Sequence, residues 1–258
     1  MEREYLVKRI GKLTGKIGFY YKNLVSDKII TYNSTGIFSA ASLIKVPLCG
    51  VIKKLIAEGH ISGKNMVVIT DEEKMPSCGA LLSFRGNLNV DVDTLCRLMI
   101  TLSDNTATNA LIKFVGIKKI QEEMKKLGLE KTTLNRLLFD EKSGLENYVC
   151  PEEIGHLLEE IFYHKFVNEE VSKELEQLLL LHQIRHKIPG YIGRKKKIGN
   201  KTGESGNTTH DSAIVYAENP FILVICADDT DVPETEVFMR EIALELYNEN
   251  GGNADEIC

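Results

Sequence analysis

Apolar positions follow two different periods along the chain, and the switch between them outlines an architecture. Residues 2–12 carry a helical pattern, and strand-like runs at 16–21 and 28–32 flank the turn-forming stretch 23–27, which predicts a hairpin. From 42 to about 181 the pattern is mostly helical, with stops expected at Gly59, Gly116 and Gly128 and a start at Pro151, followed by Glu152 and Glu153. Strand patterns return at 198–202, 211–216 and 221–227, and residues 234–247 predict a closing helix. Strands from both ends of the chain joining one antiparallel sheet, with a long helical insertion between them, make an α+β fold of two lobes. The expected boundaries are an α/β lobe at about 1–41 and 197–258 and a helical lobe at about 42–196, in one domain spanning 1–258.

Composition narrows the function classes. A chain of 258 residues can bury a full core as one compact unit, and its net charge of −5 argues against a nucleic-acid partner. The one basic run, 194–197, reads as a solvated loop. No apolar stretch reaches membrane-spanning length, so no membrane partner is expected. Six cysteines, at 49, 78, 96, 150, 226 and 258, show no metal-binding spacing, and the six histidines include no His-Glu-x-x-His, so neither a metal nor any other cofactor is expected. No repeat, low-complexity tract or Pro/Gly-rich linker interrupts the chain.

Candidate chemistry comes from three short strings in a fixed order. Ser42-Leu43-Ile44-Lys45 places a hydroxyl and an amine three residues apart, on one face of a helix, where they can touch. A neighbouring amine can take the proton of a serine hydroxyl if burial lowers the amine's pKa. The flanks at 38–41 and 46–52 are apolar, so this helix and Lys45 with it are expected to be buried. A buried lysine needs hydrogen-bonding partners. Ser103-Asp104-Asn105, between helical patterns at 93–102 and 106–115, can supply a hydroxyl and an amide, although the same string also reads as a plain helix cap. Lys201-Thr202-Gly203 precedes a strand, and Gly203 would let a substrate approach the backbone closely.

Taken together, these strings resemble the motif set of class A β-lactamases, within the wider penicillin-recognising serine enzymes. The resemblance covers nearly the whole chain: residues 95–111 read throughout like the family's second motif helix, Arg185 and Pro189 resemble the Arg-x-x-x-Pro ahead of the Lys-Thr-Gly strand, and His210-Asp211 resembles a pair in β-lactamase-like branches. The two-lobed α+β fold is also the family's. The resemblance implies that Ser42 is the acylated nucleophile, that Lys45 helps deprotonate it, and that Ser103, supported by Lys201, passes a proton to the leaving nitrogen. It implies further that Asn105 orients Lys45 and holds the substrate's side-chain amide, that Thr202 binds the substrate carboxylate, and that the backbone N–H groups of Ser42 and Glu204 form the oxyanion hole. Cys49 and Cys96 match two positions that form a disulfide in some members, and Cys78 falls in a loop bordering the cleft. For His210 a hydrogen bond between strand ends is the expected role.

One departure changes the functional expectation. The family's loop after the second motif carries Glu-x-x-Leu-Asn, whose glutamate activates the deacylating water, and this chain has no such string. If Arg136 matches the arginine opening that loop, the glutamate's place falls on Leu138, which cannot act as a base. Asp140 and Glu141 are the nearest acidic substitutes, and Glu146-Asn147 is expected to close the loop against Arg136. Three functions follow: a β-lactamase with impaired deacylation, a D-amino-acid peptidase or esterase of the same superfamily, or a penicillin-binding protein or sensor that stays acylated. The expected partner is a small-molecule β-lactam, amide or ester, and the expected assembly a monomer. With no hydrophobic signal segment at 2–10, the expected location is cytoplasmic, or secreted or periplasmic if a leader has been removed.

Overall fold

The computed structural model describes residues 1–193 and 195–253. Arg194, in the basic run, and Cys258 lie outside the described residues. Helix α1 (Arg3–Ile10) leads into strands β1 (Lys16–Asn23), β2 (Ile29–Tyr32) and β3 (Phe38–Ser39), then helix α2 (Lys45–Ala57). Strands β4 (Met66–Ile69) and β5 (Leu88–Asp91) precede helices α3 (Val92–Thr101), α4 (Asn105–Val115) and α5 (Ile117–Lys126). Strand β6 (Tyr148–Val149) is followed by α6 (Pro151–Phe162) and α7 (Glu169–Leu180), and β7 (Ile198–Ser205), β8 (Thr208–Val215), β9 (Phe221–Asp228) and α8 (Val232–Glu249) close the chain.

The fold is α+β. Five strands form an antiparallel sheet in the order β2-β1-β9-β8-β7, so the first hairpin joins strands from the far end of the chain. Strand period explains why this sheet is covered on both faces: in β9, Phe221, Leu223, Ile225 and Ala227 face the core shared with α1 and α8, while Ile222, Val224 and Cys226 face the core shared with α2 to α7. β7 is an edge strand, and its Gly203 packs against the turn that carries Ser42.

Residues 42–181 are less purely helical than expected, because two small sheets interrupt them. β3 pairs with β6 through Phe38 and Val149, both fully buried, and β4 pairs with β5. Such two- to four-residue strands carry too few positions to show a period, and the partners of β3 and β6 lie over a hundred residues apart in sequence. Helix α8 starts earlier than expected, at Val232, because the Asp231 side chain caps it by accepting from the Glu234 N–H.

Helix α2 is tied to α5 by Glu123, whose carboxylate accepts from Lys54 at 2.8 Å and from Lys119 and Lys126 at 2.7 Å each. Burial alone would raise its pKa, but the three ammonium groups outweigh that and hold it down to about 2. A carboxyl depressed in the folded state contributes stability above its unfolded pKa, near 4.3, and loses it as pH falls towards 2. Glu123→Gln is expected to cost about 2 kcal/mol at pH 7, with the gap to the wild type narrowing as pH drops below about 4. Urea unfolding between pH 3 and 7 measures this, and a gap independent of pH would contradict it.

Candidate active site

Ser42 sits in a 3₁₀ turn, Ala41–Ile44, that runs directly into α2 with Lys45 as the first α-helical residue. Ala41 adopts φ 42°, left-handed for a residue with a Cβ, a conformation that costs energy and persists only where surroundings enforce it. Gly203 is part of that enforcement. A Cβ at 203 would stand 3.1 Å from the Leu43 nitrogen and 3.4 Å from the Ala41 Cβ, so the absent side chain makes room for the Ser42 turn.

Lys45 is completely buried, and its Nζ donates among four oxygens: Ser42 Oγ at 2.9 Å, Ser103 O at 2.7 Å, Ser103 Oγ at 3.1 Å and Asn105 Oδ1 at 2.7 Å. Burial lowers its pKa to about 7, against opposing contributions from Cys78 and Asp104. Lys201, also fully buried, donates to the same Ser103 Oγ at 3.0 Å and to its neighbour's carbonyl, Thr202 O, at 2.7 Å. Its pKa is pushed well below the usual lysine range, first by burial and then by the charge of Lys45. Two amines on one hydroxyl oxygen thus disfavour each other's protonation.

The loop carrying Ser103 is pinned by Asp104. That carboxylate caps α4 through the Ala107 N–H at 2.8 Å and also accepts from the Ala80 and Leu81 N–H groups at 2.7 and 2.9 Å. The cap role read from the sequence therefore coexists with presentation of Ser103 and Asn105. Asn105 Nδ2 donates to Pro76 O at 3.0 Å, which fixes the orientation of its amide.

These groups open onto a cleft of about 380 Å³ lined by Ser42, Cys78, Ser103, Asn105, Thr202 and Glu204, among others. Glu141 lines it as an exposed residue, whereas Asp140 is not among its walls. Across the cleft, Arg136 holds Glu146 through Nη2, at 2.9 and 3.1 Å, and Asn147 Oδ1 accepts from the Asn135 and Arg136 N–H groups. Leu138 also lines the cleft. Its peptide is clamped by Asn109, whose Oδ1 accepts from Leu138 N–H at 2.8 Å and whose Nδ2 donates to Leu138 O at 3.0 Å.

A model described as the β-lactamase enzyme family matches residues 3–250. The chain belongs to the β-lactamase enzyme family. β-Lactamase CARB-3 of Pseudomonas aeruginosa is 22% identical over 233 residues, covering 87% of this chain and 81% of that protein. The β-lactamase of Sphaerobacter thermophilus superposes with a TM-score of 0.88 at 20% identity, over 97% of this chain and 98% of its own. A leucine-to-glutamate variant of PBP-A, solved as an acyl-enzyme complex with penicillin G, superposes with a TM-score of 0.85 at 25% identity, over 95% and 93% of the two chains. The protein is a β-lactamase-like serine hydrolase.

Other sequence expectations in this β-lactamase-like enzyme fall outside the cleft chemistry. His210 Nδ1 accepts from the Ala227 N–H at 3.1 Å, so Nε2 donates to Ser39 O at 2.6 Å, linking strand ends. Arg185 donates to the carbonyls of Ile198 and Lys196. Cys49 and Cys96 are buried neighbours with free thiols, and the hydrogen bond from Cys49, together with burial, raises the Cys96 pKa well above its usual value. Among the described residues, His186, Glu204 and Glu236 bring three potential metal-ligand atoms within 4.8 Å of one another. Lys187 already supplies countercharge there, 3.0 Å from Glu204 and 3.6 Å from Glu236, which makes the cluster a poor cation site. No helix among the described residues is long and apolar enough to cross a membrane.

Asn109, Lys187 and the buried His182, whose Nε2 lies 3.2 Å from Thr202 Oγ1, were not singled out by the sequence. Asn109 had a signal, since it lies one turn beyond Asn105 on the same helix face. The Lys45 amine is expected to titrate near pH 7, followed by its ¹⁵Nζ chemical shift. A midpoint above 10 would contradict the burial argument.

Proposed function

We propose that this enzyme is acylated at Ser42 by β-lactams and releases the acyl group slowly. Ser42 Oγ attacks the strained carbonyl, with the free amine of Lys45 taking the serine proton. Ser103 delivers a proton to the leaving nitrogen as the C–N bond opens, and Lys45, which has taken the serine proton and lies 3.1 Å from Ser103 Oγ, returns it to that oxygen, with Lys201 supporting the same hydroxyl. Backbone N–H groups of Ser42 and Glu204 stabilise the oxyanion, a contribution of roughly 3 to 4 kcal/mol per donor in such sites. The proposal treats residues 1–258 as a single catalytic domain.

The observation that carries the slow release is Leu138. Its place by resemblance belongs to the water-activating glutamate, and Asn109 fixes its backbone, so an apolar side chain stands where a carboxylate is required. Glu146 is committed to Arg136 and to the Asn147 N–H. Of the acidic substitutes, Glu141 lines the cleft as a solvated side chain and Asp140 does not line it. The acyl-enzyme of the PBP-A leucine-to-glutamate variant with penicillin G supports acylation as the shared step. A missing general base typically costs 10²–10⁴-fold.

A D-amino-acid peptidase or esterase would use the same acylation steps, and Leu138 fits it too if its natural acyl group leaves without that glutamate. Faster turnover of a D-alanyl ester than of penicillin would favour this second reading.

Leu138→Glu is expected to raise steady-state hydrolysis of benzylpenicillin by about 10²-fold or more, with the acylation rate changing far less. An unchanged turnover would remove Leu138 from the explanation. Single-turnover acylation by benzylpenicillin should rise with pH through about 7 and then level off, following the free amine of Lys45, and Lys45→Arg should lower it by about 10²–10⁴-fold. A flat profile from pH 5 to 8 would exclude Lys45 as the base.

A further inference from the structure

Lys187 brings a fully buried ammonium group to one rung of the β7–β8 pair. Its Nζ donates to the Gly203 and His210 carbonyl oxygens, each at 3.2 Å, and lies 3.0 Å from Glu204 Oε1. An ammonium has three N–H groups, and these three oxygens use them all. Gly203 and His210 face each other in the β7–β8 register, so one side chain clips both strands. The Lys187 backbone is held in turn: its carbonyl accepts from the Gly190 N–H at 2.8 Å, and the Ile188 N–H donates to Asp211 Oδ2 at 3.0 Å. Burying an ammonium only to tie two strands that a β-ladder already joins gains little, because desolvation offsets the new contacts.

The Gly203 carbonyl and the Glu204 N–H belong to one peptide group. In a trans peptide the two point in opposite directions. With the carbonyl held between β7 and β8, the N–H is directed to the outer side of the edge strand β7. Thr202, two residues earlier, shows the same side: its N–H donates to His182 Nε2 at 3.4 Å, outside the sheet. Glu204 lines the cleft together with Ser42. A donor on a carbonyl oxygen draws electron density from the peptide nitrogen and makes the N–H of the same group a stronger donor, as in any chain of hydrogen bonds. The ammonium on Gly203 O therefore acts on the Glu204 N–H, which the proposed function places in the oxyanion hole. It also holds the peptide plane, since turning that N–H away from the cleft would break the contact with Lys187.

We propose that Lys187 is a positioning residue of the oxyanion hole, which fixes the Gly203–Glu204 peptide and strengthens its N–H as a donor to the oxyanion. The inference rests on Ser42 acylation as described above. The reaction itself is unchanged: the Ser42 Oγ–acyl bond forms, the carbonyl electron pair moves to oxygen and returns as the C–N bond breaks, and the serine proton ends on the leaving nitrogen. Lys187 transfers no proton and touches no substrate. Its effect falls on the charge that develops during the reaction, so it changes the rate of acylation and not the affinity that precedes it.

The test follows Ser42 acylation over a range of benzylpenicillin concentrations, which separates the maximal rate from the half-saturating concentration. Loss of an oxyanion donor costs about 10²–10³-fold, and Lys187→Met weakens the donor without removing it. The maximal rate is expected to fall about tenfold while the half-saturating concentration stays within about twofold. The ester carbonyl stretch of the penicilloyl adduct, read by infrared difference spectroscopy, should move to higher wavenumber, and partial loss of folded protein does not imitate that shift. Glu236→Gln loosens the same cluster, through Lys187 and Thr209, without touching Gly203 O. It should leave the carbonyl band in place and the maximal rate within about twofold. Should Lys187→Met not fold, Lys187→Gln replaces it, with the same directions expected. An unmoved rate and band, or a Glu236→Gln variant that reproduces the loss, would overturn the proposal. The peptide is also read without substrate: the Glu204 amide ¹H resonance should move upfield in the Lys187 variant, and an unmoved resonance would overturn the proposal whatever the acylation rates. Failure of benzylpenicillin to label Ser42 in the wild type would instead defeat the acylation reading, with the amide resonance still deciding whether Lys187 acts on this peptide.

Discussion

A fully buried ammonium cannot be left without oxygens around it, and in this protein that requirement falls on Lys45. Its partners come from the Ser42 turn, from the Ser103 loop between α3 and α4, and from Asn105 at the start of α4. Removing a partner from a buried charge typically costs about 3 to 5 kcal/mol, so the contacts that assemble the proposed nucleophile also hold the helices together. The same burial makes the amine easier to deprotonate. Lys201 extends the effect by sharing Ser103 Oγ, and the adjoining scaffold serves the arrangement: Asp104 pins the loop, and Gly203 leaves space for the strained Ala41.

The cleft is asymmetric in what it offers the reaction. On the Ser42 side, hydroxyls and amines are within hydrogen-bonding distance of one another before any substrate arrives, so the proposed acylation needs little reorganisation. On the opposite wall, the acidic residues are either occupied or solvated. Arg136 and Glu146 close the loop on each other, and Asn109 fixes the peptide of Leu138, which the proposed function sets at the place of the base. Acyl transfer preorganised beside a wall without a poised base is what the proposed slow release requires.

Much of this was legible in the sequence, for identifiable reasons. The five-stranded sheet could be read because its strands are long enough to show a period, and the main helices because Pro151 and several glycines mark their ends. Ser42, Lys45, Ser103 and Lys201 stood out because their residue types occur in ordered short strings. The small β3–β6 and β4–β5 pairs were missed because a few residues cannot display a period. His182 and Lys187 were missed for a different reason: each acts through contacts made across the fold, to Thr202 and to Glu204, and nothing local in the chain announces a partner that far along it. Gly203 was read as room for substrate, whereas the nearest atoms to its missing Cβ belong to the Ser42 turn and the His210 ring.

The most direct test is intact mass followed over time after mixing the protein with benzylpenicillin, with Ser42→Ala as control. The account predicts a Ser42-dependent adduct that persists for hours. Hydrolysis of the penicillin while the protein mass stays unmodified would mean fast deacylation, and would contradict the assignment of Leu138 to the place of the missing base.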